Sequence, residues 1–185
     1  ELVRTAAGGT SEIEEEIEDL IRETNDGYRN SDITQRLVLK HTMEVDYIGT
    51  DGSGHLPTDV DNLKDPDNGY LDDVNIQRDI HGADAAVLIV FTGGPYLGKS
   101  FVMESIDGTD GFDFEESAYA GISYDDMLHP AHIFAHELGH LMSARHEWAL
   151  DHENNSPFTY NHAYIYYDWW GHWNSIMADG RNDCF

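Results

Sequence analysis

Two hydrophobic periods alternate along the chain and set the expected elements. Ile13, Ile17, Leu20 and Ile21 fall at i, i+4, i+7 and i+8, the stripe of a helix with one buried face. Ser11 and Glu14 form a Ser-x-x-Glu capping pattern ahead of it, and the acids at 12, 14, 15 and 16 suit a helix N-terminus. The spacing predicts a helix from near Ser11 to about residues 25–27, with its charges on a solvated face. Leu37, Leu39, His41, Met43 and Val45 alternate, which predicts a strand with one buried face and His41 packed on it. Residues 49–69 are rich in Gly, Asp, Asn and Pro and read as a long loop, followed by a helix over about 68–80. Residues 85–91 are a continuous apolar run, expected to be a central strand buried on both faces, and Thr92-Gly93-Gly94-Pro95 ends it. A further short strand is expected over 117–124.

The region around residue 140 changes the question from fold to chemistry. His136, Glu137 and His140 form His-Glu-x-x-His, and at 3.6 residues per turn the two histidines share one helix face and reach one cation. Ile133, Phe134, Leu138, Leu141 and Met142 give that helix an apolar face. His146 comes six residues after His140, so the chain must turn sharply after about Met142 to bring it back to the metal. Three neutral imidazoles with one open position are the donor set of a catalytic rather than a structural zinc, and Glu137 stands where it can take a proton from water. His132 lies one turn before His136, but three histidines already complete the set. His129, His152, His162 and His172 are read as spare.

Composition narrows the partners. The chain has 36 Asp and Glu against 10 Lys and Arg, a net charge of −26, which repels nucleic acid. Three readings of the charge stand: a surface suited to high salt, calcium binding, or a preference for basic substrates. Residues 107–116 carry spaced carboxylates and glycines, readable as a Ca2+ loop or, with more weight, as a solvated acidic loop. No run is long and apolar enough for a membrane helix, so no membrane partner is expected. Cys184 is the one cysteine and permits no internal disulfide. The chain is expected to be a monomeric, secreted protein whose export signal is absent from this sequence.

At this point the sequence resembles the metzincin peptidases. Their long motif, His-Glu-x-x-His-x-x-Gly-x-x-His, is matched at His136, Glu137, His140 and His146, and Ser175-Ile176-Met177-Ala178 resembles their methionine turn. The likeness is greatest to the adamalysin/reprolysin-like branch, especially bacterial members that include peptidyl-Asp metallopeptidases. It extends to Glu23-Thr24-Asn25 through Leu39, to His81-Gly82-Ala83-Asp84 with the strand after it, and to Phe158 through His162.

The resemblance implies an α/β (α+β) metzincin-like fold. Its parts are a twisted, mostly parallel sheet with an antiparallel edge strand, an active-site helix, a backing helix and a small C-terminal subdomain. It implies one catalytic domain over 1–185, divided near 1–142 and 143–185. The implied activity is endopeptidase hydrolysis of proteins or peptides with one catalytic Zn2+, with Glu137 as general base and Met177 as an apolar floor under the metal. It also implies that Ala118, Tyr119, Ala120 and Gly121 lie on the edge strand that pairs with substrate, and that the aromatic stretch 160–173 walls the S1′ pocket. Ser143 stands where the family has a left-handed glycine, and Glu147 where the branch commonly has Asp. Both ends are short for the family, which has an apolar strand before the first helix where this chain offers Leu2-Val3. The alternative is a zinc-binding module on the same fold without general peptidase activity.

Overall fold

A computed structural model describes residues 1–49, 55–104, 114–124, 132–152, 157–169 and 171–179 (Phe114 and His172 by their backbone alone). In chain order the elements are α1 (Leu2–Ala7), α2 (Thr10–Asn30), α3 (Leu56–Lys64), α4 (Asp72–His81), β1 (Ala86–Val90) and β2 (Gly98–Ser100). A 3-10 turn (Phe114–Ser117), β3 (Tyr119–Ser123), α5 (Ile133–Leu141), β4 (Ile165–Asp168) and β5 (Gly171–Asn174) follow.

The main sheet is mixed, in the order β1-β3-β2. β1 runs parallel to β3, and β2 is the antiparallel edge. It separates two apolar layers. On one face Ala120 and Ile122 pack with Phe134, Leu138 and Leu141 of α5, with Ile13, Leu20 and Ile21 of α2 behind them. On the other, Leu88 and Tyr119 pack with Leu56, Val60 and Leu63 of α3. These three α3 residues are almost wholly buried, and each contributes roughly 1.5–3 kcal/mol to stability. α3 lies so close to β3 that a Cβ at Gly121 would sit 2.7 Å from Val60 and 2.9 Å from Leu56. The α/β fold with its antiparallel edge and small C-terminal β-hairpin (β4–β5) is the one the resemblance implied.

Several expectations need correction. The chain opens on a helix, α1, which Gly8 ends at φ 104, and α2 begins at Thr10 with no side-chain cap from Ser11. α2 also runs past Gly27 to Asn30, because Thr24 and the buried Tyr28 lie one turn apart on its inner face. The expected loop over 49–69 contains α3. Leu56, Val60 and Leu63 are a short i, i+4, i+7 stripe, and Pro57 sits in the first turn, where its missing N–H is harmless. The second helix begins at Asp72 rather than 68, since Asp72 accepts the N–H groups of Asn68 (3.3 Å) and Gly69 (3.1 Å) from the preceding turn.

The alternating segment 37–45 joins no ladder. Both backbone groups of Leu37 are taken by the Asn25 side chain of α2, at 2.8 and 3.0 Å, so a helix side chain replaces a strand partner. His41 is exposed and stacks on His81, with ring centroids 4.1 Å apart. The central strand is β3, not β1. β1 pairs only with β3 among the described residues, while β3 is buried along its whole length.

Candidate metal centre

α5 presents two faces of different character. Ile133, Phe134, Leu138 and Leu141 lock it to the sheet, and this fixes the direction in which His136 and His140 project. The helix then ends in a tight reversal: Ala144 N–H bonds to Gly139 O and Ser143 N–H to His140 O, each at 2.9 Å. That reversal needs a left-handed residue, and Ser143 takes φ 73 while fully buried. A non-glycine residue there costs roughly 1–3 kcal/mol, offset in part by Asn161, whose Nδ2 donates to Ser143 O at 2.6 Å and to its Oγ at 3.2 Å. The reversal expected after Met142 is therefore made with serine in the glycine position, and it returns His146 to α5.

The three Nε2 atoms form a near-equilateral triangle. His136 and His140 are 3.1 Å apart, His136 and His146 3.1 Å, and His140 and His146 3.0 Å. The outer nitrogens explain which protons are where. His136 Nδ1 donates to Ile176 O and His140 Nδ1 to Ala144 O, both at 2.8 Å, so their Nε2 atoms carry lone pairs rather than hydrogens. Burial, and next the neighbouring His136, push the pKa of His140 down to about 3, which keeps it neutral. Bare lone pairs aimed at one another at this distance repel unless a cation lies among them. Zinc, which takes imidazole nitrogens at about 2.0–2.1 Å, would be held by His136, His140 and His146 together. The donor set fits zinc.

Further contacts hold the cage. A Cβ on Gly139 would lie 2.3 Å from Met177 Sδ, so the buried methionine sits directly against the helix turn between the two ligands. Ala178 N–H bonds to Ser175 O at 3.0 Å and closes the methionine turn. Buried Glu147 accepts the N–H of Asp179 at 3.0 Å, which ties the ligand loop to that turn. His162 Nδ1 donates to His146 O at 2.8 Å, and Trp148 stacks on the His162 ring with centroids 3.7 Å apart. Neither Glu147 nor His162 had a structural role legible in the sequence.

Glu137 turns toward β2. Ser100 Oγ donates to Glu137 Oε2 at 2.6 Å, and both side chains are buried. A Cβ on Gly98 would fall 2.2 Å from Glu137 Oε1, so glycine is what admits the carboxylate there. Burial raises the Glu137 pKa, while the Ser100 hydrogen bond and then the neighbouring His136 and Lys99 oppose the rise. Sequence reasoning missed Gly98 and Ser100, since a three-residue strand carries no period to find.

The substrate-edge expectation is overturned. Ala118, Tyr119, Ala120 and Gly121 are buried, and Ala120 and Gly121 have strand partners on both sides. A central strand has no free backbone groups to offer a peptide; among the described residues the edge on this side is β2. Of the spare histidines, His132 is exposed at the α5 N-cap and His152 is also exposed. His129, Cys184 and residues 107–113 of the calcium reading lie outside the described residues, and so does the side chain of His172. The aromatic stretch forms the β4–β5 hairpin with Tyr166 opposite Trp173, and Tyr164, Tyr166, Tyr167, Trp169 and Trp173 are exposed. No described helix is long and apolar enough to cross a membrane.

Comparison with known proteins gives a consistent result. The Reprolysin_5 family profile, described as metallo-peptidase family M12, matches residues 1–180. A peptidyl-Asp metalloendopeptidase of Xanthomonas campestris pv. campestris is 33% identical over 174 residues, covering 94% of this chain and 37% of that protein. One of the same description from Stenotrophomonas maltophilia (strain K279a) is 33% identical over 175 residues, covering 94% and 38%. The chain thus spans little more than a third of the length of these relatives. No solved structure matches significantly.

Proposed function

The chain belongs to metallo-peptidase family M12, and on that premise we propose that it is a zinc endopeptidase that hydrolyses internal peptide bonds of proteins. The observation that carries the reading is the triangle of Nε2 atoms on His136, His140 and His146, with those of His136 and His140 left bare by their Nδ1 hydrogen bonds and a carboxylate beside it. Bound zinc supplies the Lewis acidity that polarises the scissile carbonyl and acidifies water. Glu137 accepts the proton of the attacking water and passes it to the leaving amine nitrogen. Ser100 aims the carboxylate for both transfers, and Gly98 leaves room for it. The open edge of β2 is where an extended substrate adds as a further strand. The printed description of the relatives suggests cleavage next to aspartate as the first specificity to try.

The test is Glu137→Gln, which keeps the shape of the side chain and removes its basicity. Turnover of a protein substrate is expected to fall roughly 100- to 10,000-fold while bound zinc stays stoichiometric. Full-rate hydrolysis by this variant sinks the assigned base. In the parent protein, a chelator abolishes activity and added zinc restores it. Chelator-resistant hydrolysis removes the metal from the mechanism.

A further inference from the structure

The edge strand carries a group that the metal chemistry does not use. Lys99 is the middle residue of β2, half-buried, and one of only three lysines in a chain of net charge −26. A second lysine, Lys64 at the end of α3, comes to the same place. Their ammonium nitrogens lie 5.9 and 4.6 Å from the centroid of the Phe101 ring. Among the described residues Lys99 takes part in no ion pair. It stands between Gly98 and Ser100, the two residues of the strand that lie against Glu137.

The register fixes which way it faces. Gly98 and Ser100 lie against Glu137, on the α5 side of the sheet. Lys99 pairs with Gly121, whose missing Cβ would meet Leu56 and Val60, so Lys99 stands on the α3 side with Phe101. A peptide added to the open edge of β2 obeys the same alternation. Its residue opposite Lys99 projects to the α3 side with Cβ atoms about 4.5–5.5 Å apart, and the residues before and after it project to the metal side.

We propose that Lys99, with Lys64 beside the same Phe101 ring, forms a subsite that selects an aspartate or glutamate side chain in the substrate strand, one residue out of step with those facing the metal. This rests on the peptidase reading above. The surrounding acidic field repels acidic peptides, so a local pair of cations is what lets a carboxylate settle here. The Lys99 ammonium lies 5.9 Å from the Phe101 centroid, close to the strand, where its partner needs no long reach. A lysine on an exposed edge also discourages strand aggregation. That role does not distinguish aspartate from asparagine in a substrate, whereas the subsite does.

The experiment uses the zinc-loaded protein and matched peptide pairs differing only by Asp against Asn at each position around the cleaved bond. For the parent, the kcat/KM ratio Asp over Asn is expected to reach roughly fivefold at one position and to shrink in high salt. Lys99→Met, which keeps most of the stem and removes the charge, brings that ratio to about one, and Lys99→Arg restores it. Lys99→Glu reverses the preference toward a lysine at the same position. A parent ratio near one at every position, or a ratio that Lys99→Met leaves unchanged, overturns the subsite while leaving the peptidase reading intact. A parent that cleaves neither member of any pair, and no protein substrate either, overturns both.

Discussion

The two halves of the centre stand on one helix and are held in opposite ways. The metal cage is fixed by main-chain groups: the outer nitrogens of His136 and His140 are taken by the carbonyls of Ile176 and Ala144, and His146 is steadied by a hydrogen bond to its own carbonyl. The proposed base, one residue from the first ligand, is held by side-chain identity on β2, namely the hydroxyl of Ser100 and the absent side chain of Gly98. Carbonyls survive most substitutions of the residues that bear them; a hydroxyl and a glycine do not. Metal binding is therefore expected to be robust to changes outside the ligands, whereas the proposed base depends on two residues 37 and 39 positions away.

The largest expected effect breaks the cage itself. His140→Ala leaves two ligands and is expected to weaken zinc binding by more than roughly 100-fold and to abolish activity. Metal content after dialysis decides it, and stoichiometric zinc in the variant refutes the ligand set. The next change separates the two halves. Gly98→Ala puts a methyl into the position of Glu137 Oε1, so turnover is expected to fall roughly 10- to 100-fold with zinc retained. If zinc is lost along with activity, the halves are not independent.

Ser100→Ala is gentler. It leaves a buried carboxylate oxygen short of a donor, at about 1–3 kcal/mol. It is expected to lower kcat up to tenfold with little change in KM, and Ser100→Thr keeps the donor and most of the rate. Loss confined to KM points instead to a role in substrate pairing. Ser143→Gly has the smallest expected effect. It relieves the left-handed strain at φ 73 but gives up the Oγ contact to Asn161, so the midpoint of thermal unfolding should move by only a few degrees. A collapse of zinc binding in this variant contradicts the view that main-chain geometry holds the cage.

Legibility in the sequence followed the range of each interaction. α5 and the three ligands could be read directly, because helix period and motif spacing act over eleven residues. The left-handed turn at Ser143 could be read as well, from the resemblance and the distance that His146 must return. α3 was hidden inside a Gly- and Asp-rich stretch although its Leu56, Val60 and Leu63 stripe is present, since nine residues give the period little room. The segment 37–45 shows the reverse error. Its alternation is real, yet Asn25 captures Leu37 before any strand does, and no local pattern reveals a partner that lies in a helix.

The sequence by itself determined the donor set: which nitrogens can meet, on which helix face, and that a turn must return the third. Tertiary structure alone decided strand order, and with it that β3 is buried in the middle while β2 is the edge among the described residues. It also decided what surrounds Glu137. Side-chain spacing along a helix is fixed by the backbone, whereas strand neighbours and the walls of a carboxylate are chosen by packing between segments far apart in the chain.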